Sequence, residues 1–377
     1  MQKRKILKTV ITMIVTLAGL FAAVLPAKAA QAATISSKSE MRKFVRRTMA
    51  KHHVRGSVVV VKDGVPQQIS YGYAWYNKRL HNGNHKVIYP TGSLQKVVTA
   101  AMLMQIMNEK KGTKKEFNQY TKISRWYPKL KNAHNISVGN LLTHTSGIKV
   151  TNTEINRGYN YSEKGAINWV ISNANLAAYD KVNAYHYNNT NYILLAGIIR
   201  KLTGKSYNAN FKSRIVKKLG LKHTYLYQSI PKAKTDAISY YSNGRNNYHN
   251  PSYVTRDFAS QIVGAGNMFT TPKEYYKIQV GLTNGKILDQ TSFNYLTSLD
   301  SKVTNYSGGM RIKKGGKLKL AYGNLHGTHF GMWVQLTSDN QNGIVMFLNQ
   351  TNNNENSEKA VGYKILKKIK ANTFASK

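Results

Sequence analysis

The sequence predicts an α/β protein, and three observations carry that prediction. Two adjacent strand-like runs, residues 56–62 (Gly-Ser-Val-Val-Val-Val-Lys) and 67–75, flank the hairpin signal Asp63-Gly64. A second group of strand-like runs, 318–322, 331–336 and 343–348, lies toward the other end, with a turn at Ser338-Asp339-Asn340. The long stretch between the two groups is patterned mostly as helices. With 377 residues, 41% of them hydrophobic and 10% aromatic, the chain suffices for one large domain or two intimately packed ones.

Residues 1–33 stand apart. Lys3, Arg4, Lys5 and Lys8 precede an apolar run over 9–25, followed by Ala27-Lys28-Ala29 and Ala30-Gln31-Ala32, two small-x-small cleavage patterns. This is the layout of an export signal, with a retained N-terminal anchor as the alternative, and it leaves 34–377 as the folded domain. There is no cysteine, so a disulfide, a thiolate metal site and lipid attachment at a cysteine are excluded, and any nucleophile must be an oxygen. Lys and Arg number 56 against 15 Asp and Glu, a net charge of +41 spread along the chain. Such a field attracts polyanions, and for an exported protein these are phosphate-rich wall polymers and anionic membrane lipid before nucleic acid. Solubility or an acidic habitat is the competing reason for the charge.

Past the signal, residues 37–51 read as an amphipathic helix with Met41, Phe44, Val45 and Met49 at helical spacing, and the two strands follow. Thr91-Gly92-Ser93-Leu94-Gln95-Lys96 then opens a helix that is apolar on nearly every face through Met107, so it is expected to be buried. A lysine at the head of a buried helix is out of place unless it works there. Ser93 and Lys96 are three residues apart, on one side of the turn, within reach of each other. Desolvation lowers a lysine pKa and allows a neutral amine to take the serine proton, while the helix start aims backbone N–H groups where an oxyanion would form. An N-cap serine beside a solvated lysine is the bland alternative.

Further on, residues 136–147 predict a short helix closed by a glycine turn, Leu141-Leu142-Thr143-His144-Thr145-Ser146-Gly147. Tyr187-Asn188-Asn189-Thr190-Asn191-Tyr192 opens the apolar helix 193–202, which stops at Gly204. Thr271 and Pro272 suit the cap and first position of a further helix. Residues 358–370 suit a closing helix. The 11 histidines show no metal-ligand spacing, and no metal or other cofactor is expected.

Ser-x-x-Lys, Leu-Leu-Thr-His-Thr-Ser-Gly and Tyr-x-Asn, in this order, resemble the motifs of the serine β-lactamase-like hydrolases: class C β-lactamases, D-alanyl-D-alanine carboxypeptidases and penicillin-binding esterases. The resemblance runs from about Gly56 to Leu348. It implies a β-lactamase/transpeptidase-like fold, an antiparallel sheet built from both groups of strands and flanked by helices, with a mostly helical inserted region. It implies Ser93 as nucleophile, Lys96 and Tyr187 as proton carriers, with a tyrosinate conceivable at Tyr187 and Tyr185 as the rival register, and Asn189 orienting substrate or Lys96. His144 falls in a segment that is chiefly structural in that family. Where the family has Lys-Thr-Gly or His-x-Gly, this chain has Asn324-Leu325-His326-Gly327-Thr328-His329-Phe330-Gly331. Two registers fit, one with Leu325 in the cation's place and one with His326 there. His326 and Gly327 are expected at the site in both, with the Thr328 N–H as second oxyanion donor.

The function implied is that of a secreted or cell-surface serine hydrolase acting on D-alanyl esters or peptides of the cell wall, with peptidoglycan or teichoic acid as partner. A monomer is expected. A β-lactamase or D-alanyl-D-alanine carboxypeptidase is the nearest alternative, and a penicillin-binding, wall-adhering protein with little turnover is the alternative from another class. Since β-lactams and D-alanine-terminated stems present a carboxylate, the altered third motif favours an ester without one.

Overall fold

The computed structural model describes residues 38–370, so the expected export signal or anchor lies outside the described residues. Helix α1 (38–51) leads into the hairpin β1 (Arg55–Lys62) and β2 (Val65–Tyr71), which turns at Asp63-Gly64 with Lys62 opposite Val65. The run expected as one strand over 67–75 is two, because the chain bends at Gly72 before the short strand Tyr73–Trp75. The helices follow as α2 (Lys96–Lys110), α3 (Val138–Thr143), α4 (Glu163–Leu176), α5 (Asn189–Thr203) and α6 (Pro272–Gly281), the last capped by Thr271 with Pro272 in its first turn. The chain then returns through β3 (Tyr306–Ser307), β4 (Met310–Lys313), β5 (Leu318–Gly323), β6 (Gly331–Thr337) and β7 (Gly343–Thr351) to α7 (Glu355–Lys370).

The principal path of the sheet runs β3-β4-β5-β6-β7-β1-β2, antiparallel throughout, with β1 placed against β7 so that Val58 faces Met346. This is the expected sheet of N-terminal and C-terminal strands flanked by helices, with a helical region inserted between the two groups. Both faces are covered. Val59, Val61, Val345 and Phe347 enter the larger core together with α2 and α5, while Val58, Val60, Ile344 and Met346 pack against Met41, Val45 and Met49 of α1 and Val361 and Ile365 of α7. A strand buried on two faces has no polar alternation, which is why 58–61 reads as an unbroken run of valine.

Helix α2 is buried from Lys96 through Met107 and packs on α5. Tyr127 wedges against α5, donating from its hydroxyl to the Leu194 carbonyl at 2.8 Å. Gly197 makes the room, since a Cβ there would lie 2.1 Å from that hydroxyl. One helix end differs from expectation. α3 is closed not by Gly147 but by His144, which adopts the left-handed conformation at φ 58°. Its buried imidazole compensates the strain by accepting at Nδ1 from the Asn191 side chain (3.0 Å) and the Asn188 N–H (3.3 Å).

Candidate active site

The entry to α2 is pinned before the helix begins. Thr91 donates to the Met268 carbonyl from both its N–H (2.8 Å) and its hydroxyl (2.9 Å). Gly92 takes φ +49°, and a Cβ there would meet the Asn324 carbonyl at 2.6 Å. Residues Gly92–Gln95 wind as a 3-10 turn that runs straight into α2, so Ser93 and Lys96 keep their three-residue spacing across the junction. On the other side, the β3–β4 turn presses on the same junction. Gly309 has φ +93°, and its missing Cβ would lie 2.3 Å from the Val97 N. Both positions require glycine for conformation and for space.

Lys96 is fully buried, and its Nζ lies 2.8 Å from Ser93 Oγ, 2.8 Å from Asn189 Oδ1 and 3.0 Å from the Ala265 carbonyl. Burial lowers its pKa to about 7, the Glu154 carboxylate acting in the opposite direction. A neutral amine has two N–H donors and one lone pair. Asn189 Oδ1 and the Ala265 carbonyl accept the two, which leaves the lone pair for the Ser93 hydroxyl. The same three oxygens also satisfy the three N–H donors of the ammonium, so the surroundings accommodate both forms of Lys96.

Asn188 caps α5 by accepting from the Thr190 N–H, which makes Asn189 the first helical residue and turns its amide toward Lys96. The Tyr187 ring packs on His144 (centroids 4.2 Å apart) and on Tyr306 (5.8 Å), with Lys96 Nζ 5.0 Å from its own centroid. Of the two tyrosine registers, this one stands at Ser93 and Lys96. The Tyr185 hydroxyl accepts from Arg311 Nη2 at 3.0 Å instead. The Tyr187 side chain is 40% exposed at the pocket, while desolvation around its hydroxyl raises its pKa above the usual phenol range and hydrogen bonding with Ser93 acts in the opposite direction. His144 is fully buried and held well below the usual histidine range, first by burial and then by Lys96 and Arg311. It is a packing residue behind Tyr187, as the resemblance implied.

The third motif departs from both expected registers. Strand β5 ends against Ser93, a Cβ on Gly323 lying 3.3 Å from the Ser93 N, and Asn324 lines the pocket with Ser93. Leu325 is 3% exposed and belongs to the core, so it does not stand where a cation would. The His326 side chain is exposed, and the expected oxyanion donor is wrong: the Thr328 N–H closes a turn on the Leu325 carbonyl at 3.2 Å, with the Thr328 hydroxyl on the same acceptor. Gly327 sits inside that turn at φ 73°. What the segment offers the site is the His326 N–H, which donates to Glu154 Oε2 at 3.1 Å.

Glu154 is the residue that the sequence reading missed. It comes from the polar loop between α3 and α4, and its carboxylate bridges the His326 N–H and the Asn189 side chain, which donates to Oε1 at 2.5 Å. Its charge is felt at both Lys96 and Tyr187. No spacing in a single sequence points to it. Among the described residues, no group of His, Asp and Glu is arranged to hold a metal ion.

The family model described as Beta-lactamase matches residues 41–366. A teichoic acid D-alanine hydrolase of Staphylococcus aureus is 26% identical over 337 residues, which span 89% of this chain and 80% of that protein. A putative penicillin-binding protein, PbpX of Bacillus subtilis (strain 168), is 28% identical over 304 residues, 79% of this chain and 71% of that one. Among solved structures, FmtA from Staphylococcus aureus superposes with a TM-score of 0.70 at 25% identity, covering 88% of this chain and 90% of FmtA. With a matched family spanning most of the chain and a serine and a buried lysine in contact at its centre, the protein is a serine-hydrolase-type enzyme and belongs to the β-lactamase family.

Proposed function

We propose that this protein is an exported cell-envelope esterase that removes D-alanyl groups from a phosphate-rich wall polymer through an acyl-enzyme on Ser93. The observation that carries the choice of substrate is Glu154, a carboxylate bonded to the same Asn189 side chain that accepts from Lys96. β-Lactams and D-alanine-terminated peptides carry an anionic group, which a carboxylate repels. A D-alanyl ester instead carries a free α-ammonium, which a carboxylate attracts. The likeness to a teichoic acid D-alanine hydrolase supports the same choice, as does the net charge of +41.

In this reading neutral Lys96 takes the Ser93 proton as Oγ attacks the ester carbonyl. The ammonium of the D-alanyl group draws Glu154 away from the His326 N–H, and that donor and the Ser93 N–H then hold the oxyanion. Tyr187, a neutral hydroxyl between Lys96 and the departing oxygen, passes a proton to the alcohol, and water releases D-alanine by the reverse relay. Asn189 holds Lys96 and Glu154 in register.

One observation favours a second reading. Arg311 lines the same pocket as Ser93, and a guanidinium there would accept the carboxylate of a penicillin or peptide stem, in keeping with the likeness to PbpX. The discriminating experiment compares kcat/KM for a D-alanyl ester and the propionyl ester of the same alcohol, which lacks only the amino group. The wild type is expected to prefer the D-alanyl ester about 10-fold or more, and Glu154→Gln to lose most of that preference. A wild type indifferent to the amino group, or one that turns over penicillin faster than either ester, contradicts the proposal.

A further inference from the structure

We infer that the cavity containing Ser93 extends into a binding groove for a polyanion of repeating phosphodiesters, with Arg311 and Lys313 of β4 and Lys359 of α7 as its phosphate contacts. The inference rests on the function proposed above and names how the polymer is held. The cavity measures about 380 Å³ and is continuous from Ser93 and Tyr187 to the first turns of α7, where Lys359 and Tyr363 line it.

The sheet register determines what faces this space. Arg311 pairs with Leu320 and Lys313 with Leu318, so both cations stand on the α7 side of the sheet, one on each side of Ile312. Two residues along a strand separate them by about 7 Å, a span that suits neighbouring phosphodiesters joined by a three-carbon unit. Neither meets a carboxylate at ion-pair distance among the described residues. Arg311 rests on neutral groups, the Tyr185 hydroxyl and Asn305 Oδ1, and Lys359 is held by Glu355 one turn back. The floor between the cations is Tyr322 and Trp333, the latter edge-on to Tyr363 at 5.0 Å. Aromatic faces between cations match a chain whose carbon units alternate with phosphates. Lysines line other cavities too, and Glu355 shares this one, but among these cavities only this one joins its cations to Ser93.

The test is equilibrium binding of poly(glycerol phosphate) lacking D-alanine to Ser93→Ala protein, so that no turnover enters the measurement. Adding Lys313→Gln and Lys359→Gln is expected to weaken binding about 10-fold and to make its salt dependence shallower by about one to two units of log–log slope, as for other phosphate polyanions. A control with the same loss of charge, Lys114→Gln and Lys115→Gln on the exposed turn after α2, is expected to change little. Equal loss in the groove variant and the control overturns the inference and leaves only diffuse charge. Release of the groove variant from phosphatidylglycerol vesicles with unchanged polymer binding also overturns it, since the groove would then face lipid. Hydrolysis of a small D-alanyl ester by the wild type is scored separately, so failure of the esterase reading is not confused with failure of the groove.

Discussion

In the proposed mechanism, Lys96 is costly to the fold and useful to the reaction for the same reason, the absence of water around its amine. With its pKa lowered to about 7, the neutral fraction grows as pH rises through that value, and kcat/KM on a small ester should climb below about 7 and level off above it. A rate independent of pH between 5.5 and 8 would contradict this assignment, those bounds being roughly one and a half units below and one above the inflection. Lys96→Ala should lower the rate by roughly 2 to 4 orders of magnitude, and Tyr187→Phe should slow both acylation and release. An unchanged turnover in Tyr187→Phe would remove that hydroxyl from the relay. Ser93 and Lys96 were legible in the sequence because they are close along one helical turn, where spacing alone fixes proximity. Tyr187 was legible through its motif, but its packing against His144 and Tyr306 was not, since those contacts join distant segments. Glu154 was illegible because its place depends on how a polar loop folds back over α5.

At the scale of elements, the third motif shows where sequence spacing runs out. Gly327 and Gly331 permit two registers, and a turn closed by Thr328 onto Leu325 selects an outcome that neither register contains. The strands and helices themselves were largely legible, because β1 and β7 are apolar on both faces and α2 on all sides. The packing of α5 was not. It depends on Tyr127 entering the notch at Gly197, a contact between distant segments. Gly197→Ala should destabilise by about 1 to 3 kcal/mol through overpacking, despite alanine's better helix propensity. In a Tyr127→Phe background the loss should shrink, and chemical denaturation of the four proteins would show it. Additive losses would mean that the two do not meet. Strand β5 carries a second buried lysine, Lys319, bonded to Asn340 Oδ1 at 2.6 Å and lowered by burial to about 7. Between about 7 and its usual 10.5 the unfolded chain holds this proton and the folded one does not, so stability rises with pH across that window and the full penalty applies below it. Lys319→Met should therefore be more stable than the wild type near pH 6, by an amount on the order of a few kcal/mol that fades toward pH 10. A constant difference across that range would contradict the sign.

For the whole molecule, the proposed function has the net charge of +41 and the chemistry of Ser93 act on one polymer. Binding to the wall polymer should weaken steeply between low and physiological ionic strength, since exposed charges are screened over about 8 to 10 Å. Hydrolysis of a small neutral-alcohol ester should respond far less to salt, and equal salt sensitivity of the two would separate the charge from the function. The central claim, an alanyl-enzyme on Ser93, is tested most directly by intact-mass and peptide-mass measurement of protein quenched during turnover of a D-alanyl ester. The account predicts one alanyl adduct, on the peptide containing Ser93, and none in Ser93→Ala. An adduct that persists in Ser93→Ala, or one carried by another peptide, would contradict it.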